Sequence, residues 1–336
     1  MKTSTKISSD LLAKLPFDPT KHKRELNKYY LSLTDDEIKE MLSTISLGRV
    51  EELFEHIPAD LKFSDFDQLP LALEYGPLID HITQLSSKNH IKRSLLGNGL
   101  PHYKIPELVG EVANNRGLST AYTPYQPERS QGTLMSLWLY SSLISTLTGF
   151  EAVNASLYDR STALFEALAS ATKMMRGRES VLVCETLYPN DLEVLHTLAF
   201  DRKIKIITIP MDKERGVVSY QQARELVEEH QSELAAIAFP QVNSLGNLED
   251  VHTLTDLALE FKIKSIAVID PILLGSGGLI PPSEYGTQEE GCNMFVAEGQ
   301  HLALGPNYGG PGLGIFGIRY NQNDPNSIRS TSGRYA

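Results

Sequence analysis

The sequence has little that would suit a secreted or membrane-spanning protein. It has only two cysteines, Cys184 and Cys292, in 336 residues, and each lies in an apolar stretch. We expect both to be small buried residues, with a nucleophile or a disulfide as the alternatives. No run approaches the roughly 18 apolar residues of a membrane helix, and the amino terminus has no signal-like apolar stretch. These absences predict a cytoplasmic protein without a membrane partner.

Metal-ligand spacings and clustered positive charge are also missing. The nine histidines are scattered, and no His-x-x-x-His or Cys-x-x-Cys spacing predicts a metal site. The formal net charge is −11, whereas nucleic-acid binding depends on clustered lysine and arginine. A hydrophobic content of 41% with 22% charged residues is ordinary for a folded chain. We therefore expect small molecules or other proteins as ligands, and no metal or nucleic acid.

Lysine is absent from the whole stretch after Lys264. This stretch includes the glycine-rich segment "EGQHLALGPNYGGPGLGIFG", residues 298–317, in which Gln300 stands near the start. The segment has neither the Gly-x-Gly-x-x-Gly pattern between a strand and a helix nor the Lys-Ser/Thr of a phosphate-binding loop, so neither nucleotide site is predicted. Its glycines would let the backbone approach a neighbour or a ligand closely.

The chain divides into a helical first part and an α/β second part. Residues 1–120 contain short segments with helical apolar spacing and no strand-like run, which indicates a helical arm or cap. Residues 121–336 begin with two long apolar helical stretches, after which β-rich runs alternate with helical ones. This alternation predicts a mainly parallel sheet covered on both faces, that is, an α/β fold. The predicted strands are "SVLVCE", "KIKIITIPM", "LAAIAFPQ", "SIAVIDP", "MFVAEG" and "LGIFGIRY".

Candidate site residues lie where strands end and helices begin, because ligands bind at the carboxyl ends of strands in such sheets. Asp270 closes the run "SIAVID", where a carboxylate could pair with a protonated pyridine nitrogen or only cap the next turn. A polar loop enters a predicted helix whose free N–H groups and dipole could bind an anion, although Asp159 could simply be its cap. The polar residues of this loop and first turn are Asn154, Ser156, Asp159, Ser161 and Thr162, with Arg160 adding positive charge.

The loop "AYTPYQPERSQG", residues 121–132, is rich in polar and aromatic side chains. Pro124 and Pro127 disfavour regular structure there, which indicates a shaped loop that enters a helix. Loops of this composition often line sites or interfaces, so they are candidates for function. The candidate residues are Tyr122, Thr123, Tyr125, Gln126, Glu128 and Gln131.

Together these motifs resemble glycine dehydrogenase (decarboxylating), the P-protein of the glycine cleavage system, and specifically its subunit 1. The resemblance spans nearly the whole chain, and "YTPYQPERSQG" with "LTGFEAVNASLYDRS" is its most specific part. Other matching stretches are "LTDDEIKEML", "GNGLPHYKIPELV", "IPPSEYG" and "AEGQHLALGPNYGGPGLGIFG". The resemblance implies a large domain of the fold-type I architecture of pyridoxal-phosphate (PLP) dependent transferases, preceded by a helical segment. The family's small C-terminal domain is expected to be absent here.

The resemblance also implies that this chain is not catalytic by itself. The family's catalytic half holds PLP through a lysine, and Gln300 occupies the corresponding place here; an amide is no substitute for an amine nucleophile. The implied role is an accessory subunit that pairs with the lysine-bearing, PLP-binding subunit 2 and helps to present the lipoyl-bearing H-protein. The complete enzyme decarboxylates glycine and passes the aminomethyl group to the lipoyl arm. The implied contributors are the six residues of the polar loop, and the vestigial cofactor positions are Asn154, Ser156, Asp159, Ser161, Thr162, Tyr188, Asp270 and Gln300.

Several departures from the family favour an alternative function. Arg160 stands where the family usually has glutamate or glycine, and Tyr188 where histidine is common. The sequence also stops at Ala336, before the usual small domain, so that it could be cut, split between polypeptides or diverged. The alternative is a degenerate binding or regulatory scaffold of the same fold. An independent PLP enzyme using Lys264 is disfavoured, because this lysine precedes its strand and should lie at the wrong end of the sheet.

Overall fold

The computed structural model describes residues 34–62, 70, 72–90, 92, 95, 104–288, 291–305, 307, 309–320 and 327–331. The chain forms two compact units, Met1–Ser94 and Leu95–Ala336. The second unit contains the β-rich part of the sequence and every candidate site residue. The strand "SIAVID" and the glycine-rich segment therefore belong to one unit.

The first unit is helical in its described residues. Helix α1 spans Asp35–Thr44 and is capped by Thr34, whose hydroxyl accepts the N–H of Glu37 at 3.3 Å. The Glu37 carboxylate accepts the N–H of Thr34 in return at 2.7 Å, which satisfies two helix-end donors at once. Helix α2 spans Tyr75–Ser86, and Val50–Phe54 and Ala59–Leu61 form 3₁₀ turns. The helical character predicted for these segments is thus present.

The second unit begins with helices and continues as an alternation of strands and helices. The long helix Gln131–Thr148 is capped at its carboxyl end by Gly149, whose φ of 73° is left-handed. The helices are α3 Leu108–Ala113, α4 Gln131–Thr148, α5 Arg160–Met174, α6 Pro189–Arg202, α7 Tyr220–His230 and α8 Val251–Glu260. The strands are β1 Ala152–Val153, β2 Ser180–Cys184, β3 Lys205–Ile209, β4 Met211–Asp212, β5 Val217–Val218, β6 Leu234–Pro240, β7 Lys264–Ile269, β8 Met294–Glu298 and β9 Gly314–Ile318.

Seven of these strands form one twisted sheet in the order β1-β9-β8-β7-β6-β2-β3. The five strands from β3 to β8 in this order run parallel, whereas β9 is antiparallel to both β8 and β1. All six runs predicted as strands lie in this sheet, and the prediction of a mainly parallel α/β fold is confirmed. Strand β1 and the β4–β5 hairpin were not predicted, because two-residue strands leave no alternating pattern in the sequence.

Helices cover both faces of the sheet. One buried cluster joins α5 and α6 to strand side chains such as Val183 and Phe316, and the other joins α7 and α8 to side chains such as Cys184 and Ile315. Successive strand residues point to opposite faces, so each central strand contributes to both clusters. This explains why β6 is apolar and buried along its whole length.

Both cysteines are buried and unpaired by disulfide, as expected. Burial raises the pKa of the Cys292 thiol to about 11. Burial, together with the nearby Glu249 carboxylate, also raises the pKa of Cys184. Both thiols therefore stay protonated at neutral pH, which argues against a nucleophilic role.

Two absences hold for the part of the chain that the structure describes. None of its helices combines the length and apolar character needed to cross a bilayer. None of its His, Cys, Asp and Glu side chains form a group of three or more that could hold a metal ion.

Candidate functional site at the carboxyl edge of the sheet

At the first turn of α5, where the sequence predicts either an anion site or a simple cap, the backbone N–H groups of Thr162 and Arg160 donate to carboxylates of the chain itself. Asp159 caps the helix: its Oδ1 accepts the N–H of Thr162 at 2.8 Å, and Thr162 Oγ1 accepts the N–H of Asp159 at 3.2 Å. The N–H of Arg160 donates to Glu298 Oε2 at 3.1 Å. Since helix N-termini favour negative charge, Glu298 lies where an external anion would bind.

Glu298 joins three segments of the site. It is the last residue of β8, and its Oε1 accepts the N–H of Gln300 at 2.9 Å and that of Leu313 at 3.0 Å. With the Arg160 N–H, one carboxylate thus receives three backbone donors, from the start of α5, the turn after β8 and the glycine-rich segment. Glu298 is not among the residues predicted from the sequence. Its place at a strand end, two residues before Gln300, is the signal that could have identified it.

Gln300 begins a 3₁₀ turn over Gln300–Leu302 at the carboxyl end of β8. Its side-chain Nε2 donates to the Gly305 carbonyl at 2.8 Å, so the amide holds the turn closed. Lys264 is the first residue of β7 and therefore lies at the opposite, amino end of its strand. The expectation that Lys264 cannot reach this edge is confirmed.

Asp270 both caps a turn and contacts a buried histidine. Its Oδ1 accepts the N–H of Ile272 at 3.1 Å and lies 2.9 Å from Nε2 of His301. The His301 side chain is only 4% exposed. Strands β7 and β8 are neighbours with Ile269 opposite Ala297, so Asp270 and Glu298 emerge side by side at the carboxyl edge. The histidine contact was not anticipated, because it needs the turn after β8 to fold back on the end of β7.

Arg160 and Tyr188 contact each other. The Arg160 guanidinium lies 4.4 Å from the centre of the Tyr188 ring, as a cation–π pair. The same guanidinium makes a two-point ion pair with Asp191, with Nε–Oδ2 at 2.8 Å and Nη2–Oδ1 at 3.2 Å. Ser161 Oγ also donates to Asp191 Oδ1, at 2.6 Å. Asp191, near the start of α6, thus fixes the side chains of the first turn of α5.

We expect Asp191→Asn to lower the free energy of unfolding by about 3–5 kcal/mol, since it leaves a buried guanidinium without its counter-ion. The two side chains are only 13% and 2% exposed, so solvent screens the pair little. Urea unfolding measures the change. The matched control is Asp201→Asn, an exposed carboxylate on the same helix, for which we expect less than about 0.5 kcal/mol. Equal stability of the two variants would contradict the structural role of the ion pair.

The glycine-rich segment packs directly against the entry to α5. Leu157 and Gly314 exchange two backbone hydrogen bonds, at 2.8 and 2.9 Å. A Cβ atom on Gly314 would lie 2.3 Å from the Asp159 carbonyl oxygen, and one on Gly312 would lie 2.6 Å from that of Tyr158. The sequence left open whether these glycines accommodate a neighbour or a ligand. In the structure they accommodate neighbouring backbone.

The structure brings most of the predicted cofactor positions to this edge. Asp159, Ser161 and Thr162 lie in the first turn of α5, with Tyr188 against it through Arg160, and Asp270 and Gln300 follow neighbouring strands. Asn154 is buried, with its N–H on the Phe316 carbonyl at 3.0 Å, and Ser156 is exposed in the loop before the helix. The polar loop 121–132 is a separate feature.

That loop is exposed and continues into an exposed apolar helix surface. The rings of Tyr122 and Tyr125 are 102% and 82% exposed. Gln126, Glu128 and Gln131 are exposed and Thr123 is half-buried, while Gln131 Nε2 closes the loop on the Pro127 carbonyl. Four exposed side chains then lie on one side of α4, because at 3.6 residues per turn their positions fall within about 140° around the helix axis. These residues, here called the α4 face, are Met135, Trp138, Leu139 and Leu143.

Comparisons with known proteins agree on one family. The family model described as glycine cleavage system P-protein matches residues 28–334. A probable glycine dehydrogenase (decarboxylating) subunit 1 of Legionella pneumophila is 33% identical over 292 residues, which is 86% of this chain and 62% of the relative. The corresponding protein of Carboxydothermus hydrogenoformans is 35% identical over 293 residues, or 86% and 63%. The chain thus spans less than two thirds of the length of these curated relatives.

Solved structures confirm the fold. A crystal structure of glycine decarboxylase (P-protein) of the glycine cleavage system, in inhibitor-bound form, matches with a TM-score of 0.74 and 31% identity. The match covers 90% of this chain and 64% of that one. A sphingosine-1-phosphate lyase of Burkholderia pseudomallei matches with a TM-score of 0.57 at 13% identity, covering 82% and 64%, which shows the fold alone. The predicted architecture, that of fold-type I PLP-dependent transferases, is confirmed.

Proposed function

Because the chain belongs to the glycine cleavage system P-protein family, we propose that it is the non-catalytic, accessory half of a glycine dehydrogenase (decarboxylating). It pairs with a lysine-bearing subunit that holds PLP, in a cytoplasmic complex. The complete enzyme decarboxylates glycine and transfers the aminomethyl group to the lipoyl arm of an H-protein. When bound in the partner, PLP supplies the electron sink for decarboxylation.

The observation that carries this proposal is the side chain of Gln300. Holding PLP covalently requires an amine at the carboxyl edge of the sheet, and the Gln300 amide at that edge is neither nucleophilic nor mobile, since it is bonded to Gly305. The first lysine before it in the chain, Lys264, begins β7 at the other end of the sheet. Both observations support a partner chain as the source of the lysine.

The polar loop and the α4 face support a partner-binding role. Trp138 is 56% exposed and Leu143 is 67% exposed, next to a loop that presents Tyr122 and Tyr125 to solvent. Contiguous apolar side chains of this size are often interaction sites, and tyrosine and tryptophan are enriched in interfaces. We assign this surface to the lysine-bearing subunit, with the loop residues Tyr122, Thr123, Tyr125, Gln126, Glu128 and Gln131 at the shared cleft.

The contact between Arg160 and Tyr188 favours a second candidate function, a diverged scaffold of the same fold. Both residues depart from the family pattern, and they contact each other at 4.4 Å beside the buried pair with Asp191. A chain that is not selected to support catalysis is free to acquire substitutions such as these two, which pack against each other. Binding to a lysine-bearing subunit distinguishes the two functions, because the accessory half requires that binding and a diverged scaffold does not.

We expect Leu143→Glu to abolish co-elution of this chain with the lysine-bearing subunit while leaving its own melting temperature nearly unchanged. A charge in the middle of an apolar interface is costly, whereas on an exposed helix surface it changes stability by less than about 0.5 kcal/mol. Size-exclusion chromatography of the mixed chains measures the association. The matched control is Phe200→Glu on α6, where the wild-type ring is 85% exposed. Unchanged co-elution of both variants would remove the α4 face from the proposal.

The purified chain is expected to be colourless and inactive with glycine. The reason is Gln300, together with the absence of lysine after Lys264. Absorbance spectroscopy before and after borohydride treatment, with peptide mapping, checks this result, and the lysine-bearing subunit prepared in parallel is the positive control. A borohydride-sensitive absorbance mapped to any lysine of this chain would overturn the assignment of a non-catalytic role.

A further inference from the structure

The start of α5, the ring of Tyr188, the Asp270 carboxylate and the turn after β8 together form what we call the α5 cradle. In a PLP-binding member of this fold, these places must offer an anion site for the phosphate, a contact for the ring and a carboxylate for the pyridine nitrogen. In this chain each of the three places is taken by one of its own side chains.

The phosphate place is taken by Glu298. Its carboxylate receives the N–H groups of Arg160, Gln300 and Leu313 at 3.1, 2.9 and 3.0 Å. A phosphate at the same helix N-terminus would need those donors and would lie against a carboxylate of like charge. The Glu298 carboxylate therefore occupies the donors that a phosphate would need and offsets the positive potential that would attract it.

The ring place is taken by Arg160. Its guanidinium lies 4.4 Å from the centre of the Tyr188 ring and is held there by the two-point pair with the buried Asp191. A guanidinium is planar and stacks on aromatic faces as another flat group would. For a ligand ring to stack on this face of Tyr188, the ion pair between Arg160 and Asp191 would have to break. The two side chains of this pair are only 13% and 2% exposed.

The pyridine-nitrogen place is taken by His301. Its Nε2 lies 2.9 Å from Asp270 Oδ1, and its ring is almost completely buried. An imidazole N–H offers Asp270 the same kind of donor as a protonated pyridine. The residues present therefore do not fit PLP, although the fold does.

We infer that the Glu298 carboxylate occupies the position that a cofactor phosphate would need. We also infer that the α5 cradle binds PLP neither covalently nor non-covalently and has a structural role only. Glu298 thereby fastens the glycine-rich segment to α5, a role that the phosphate of a bound cofactor would otherwise share. A lysine restored at position 300 would not be sufficient to recover cofactor binding. This inference concerns the cradle alone and does not depend on association with a partner.

Equilibrium dialysis of the whole chain against 4′-deoxypyridoxine 5′-phosphate tests the cradle directly. This probe keeps the ring and the phosphate but has no aldehyde, so surface lysines cannot capture it. We expect no saturable binding up to about 1 mM for the wild-type chain and for Gln300→Lys, which is at least about 100-fold weaker than a micromolar cofactor site. One equivalent bound with a micromolar Kd, by either chain, would overturn the inference.

Chemical rescue tests the role of Glu298. We expect inorganic phosphate to raise the melting temperature of Glu298→Ala by about 2–4 °C more than that of the wild-type chain, at matched ionic strength, because it refills the vacated anion place. The control is Glu185→Ala, which removes a carboxylate from the end of β2 that accepts a single backbone N–H, from Met211. If the alanine variant does not fold, Glu298→Ser, which also vacates the anion place but keeps a polar side chain, gives the same comparison. Equal phosphate responses in all chains would show that Glu298 is not at an anion site.

These outcomes are independent of the proposed function. A chain that binds the probe and still co-elutes with the lysine-bearing subunit would overturn the closed cradle and leave the accessory role intact. A chain that binds no probe and does not co-elute would support the closed cradle and overturn the accessory role.

Discussion

A chain truncated after Gly305 should fail to fold. The truncation removes β9, which lies between β1 and β8 and is paired with both, so that both partners lose their backbone hydrogen bonds. All five residues of β9 are buried, and Ile315, Phe316 and Ile318 supply its large side chains. Each such side chain contributes about 1.5–3 kcal/mol by burial, against a total stability of about 5–15 kcal/mol. The loss therefore approaches the whole stability of the unit.

Thermal unfolding followed by circular dichroism measures this effect. The matched control ends at Thr331 and keeps β9, and it should melt cooperatively. A soluble chain ending at Gly305 that also melts cooperatively would show that the sheet does not need β9, and that the glycine-rich segment has another role.

The second large effect is expected from the polar loop, in the reconstituted enzyme. Tyr125→Phe and Glu128→Gln should each reduce glycine–bicarbonate exchange by well over about tenfold, equivalent to more than about 1.4 kcal/mol of transition-state stabilisation. The melting temperature of the chain itself should hardly change. The Tyr125 ring is 82% exposed and Glu128 is exposed, and changes at such positions usually shift stability by less than about 0.5 kcal/mol.

The assay contains the lysine-bearing subunit and the H-protein in excess. Tyr158→Phe is the matched control, because this ring is 84% exposed and lies outside the loop. Lost stability with full exchange activity would make the loop structural and would favour the diverged scaffold.

The main elements of the fold were predictable because each leaves a local pattern. The apolar runs that became β2, β3, β6, β7, β8 and β9 are long enough to stand out between helical stretches. The cap residue Asp159 acts within one helical turn, so the sequence was sufficient to suggest it. Strand β1 was not predictable, since its two residues become a strand only by pairing with β9.

The site was predictable in its positions but not in its connections. Asp159 and Asp270 were singled out because strand ends and helix starts converge in this class of fold, whereas Gln300 was singled out by the resemblance to the family. The bond from the Arg160 N–H to Glu298, however, joins residues 138 positions apart, and the ion pair from Arg160 to Asp191 spans 31. No local pattern reports such contacts. Arg160 and Tyr188 were noticed as separate departures from the family, and their contact became visible only in three dimensions.

On the proposed function, this chain is inactive alone and completes a lysine-bearing partner. The most direct measurement is glycine–bicarbonate exchange, with H-protein present, as this chain is titrated into a fixed amount of the partner subunit. We expect background exchange from either chain alone and a rise that saturates as the complex forms. Full exchange by the partner alone, unchanged by this chain, would contradict the accessory role. Exchange by this chain alone would contradict the conclusion that Gln300 replaces the lysine needed for catalysis.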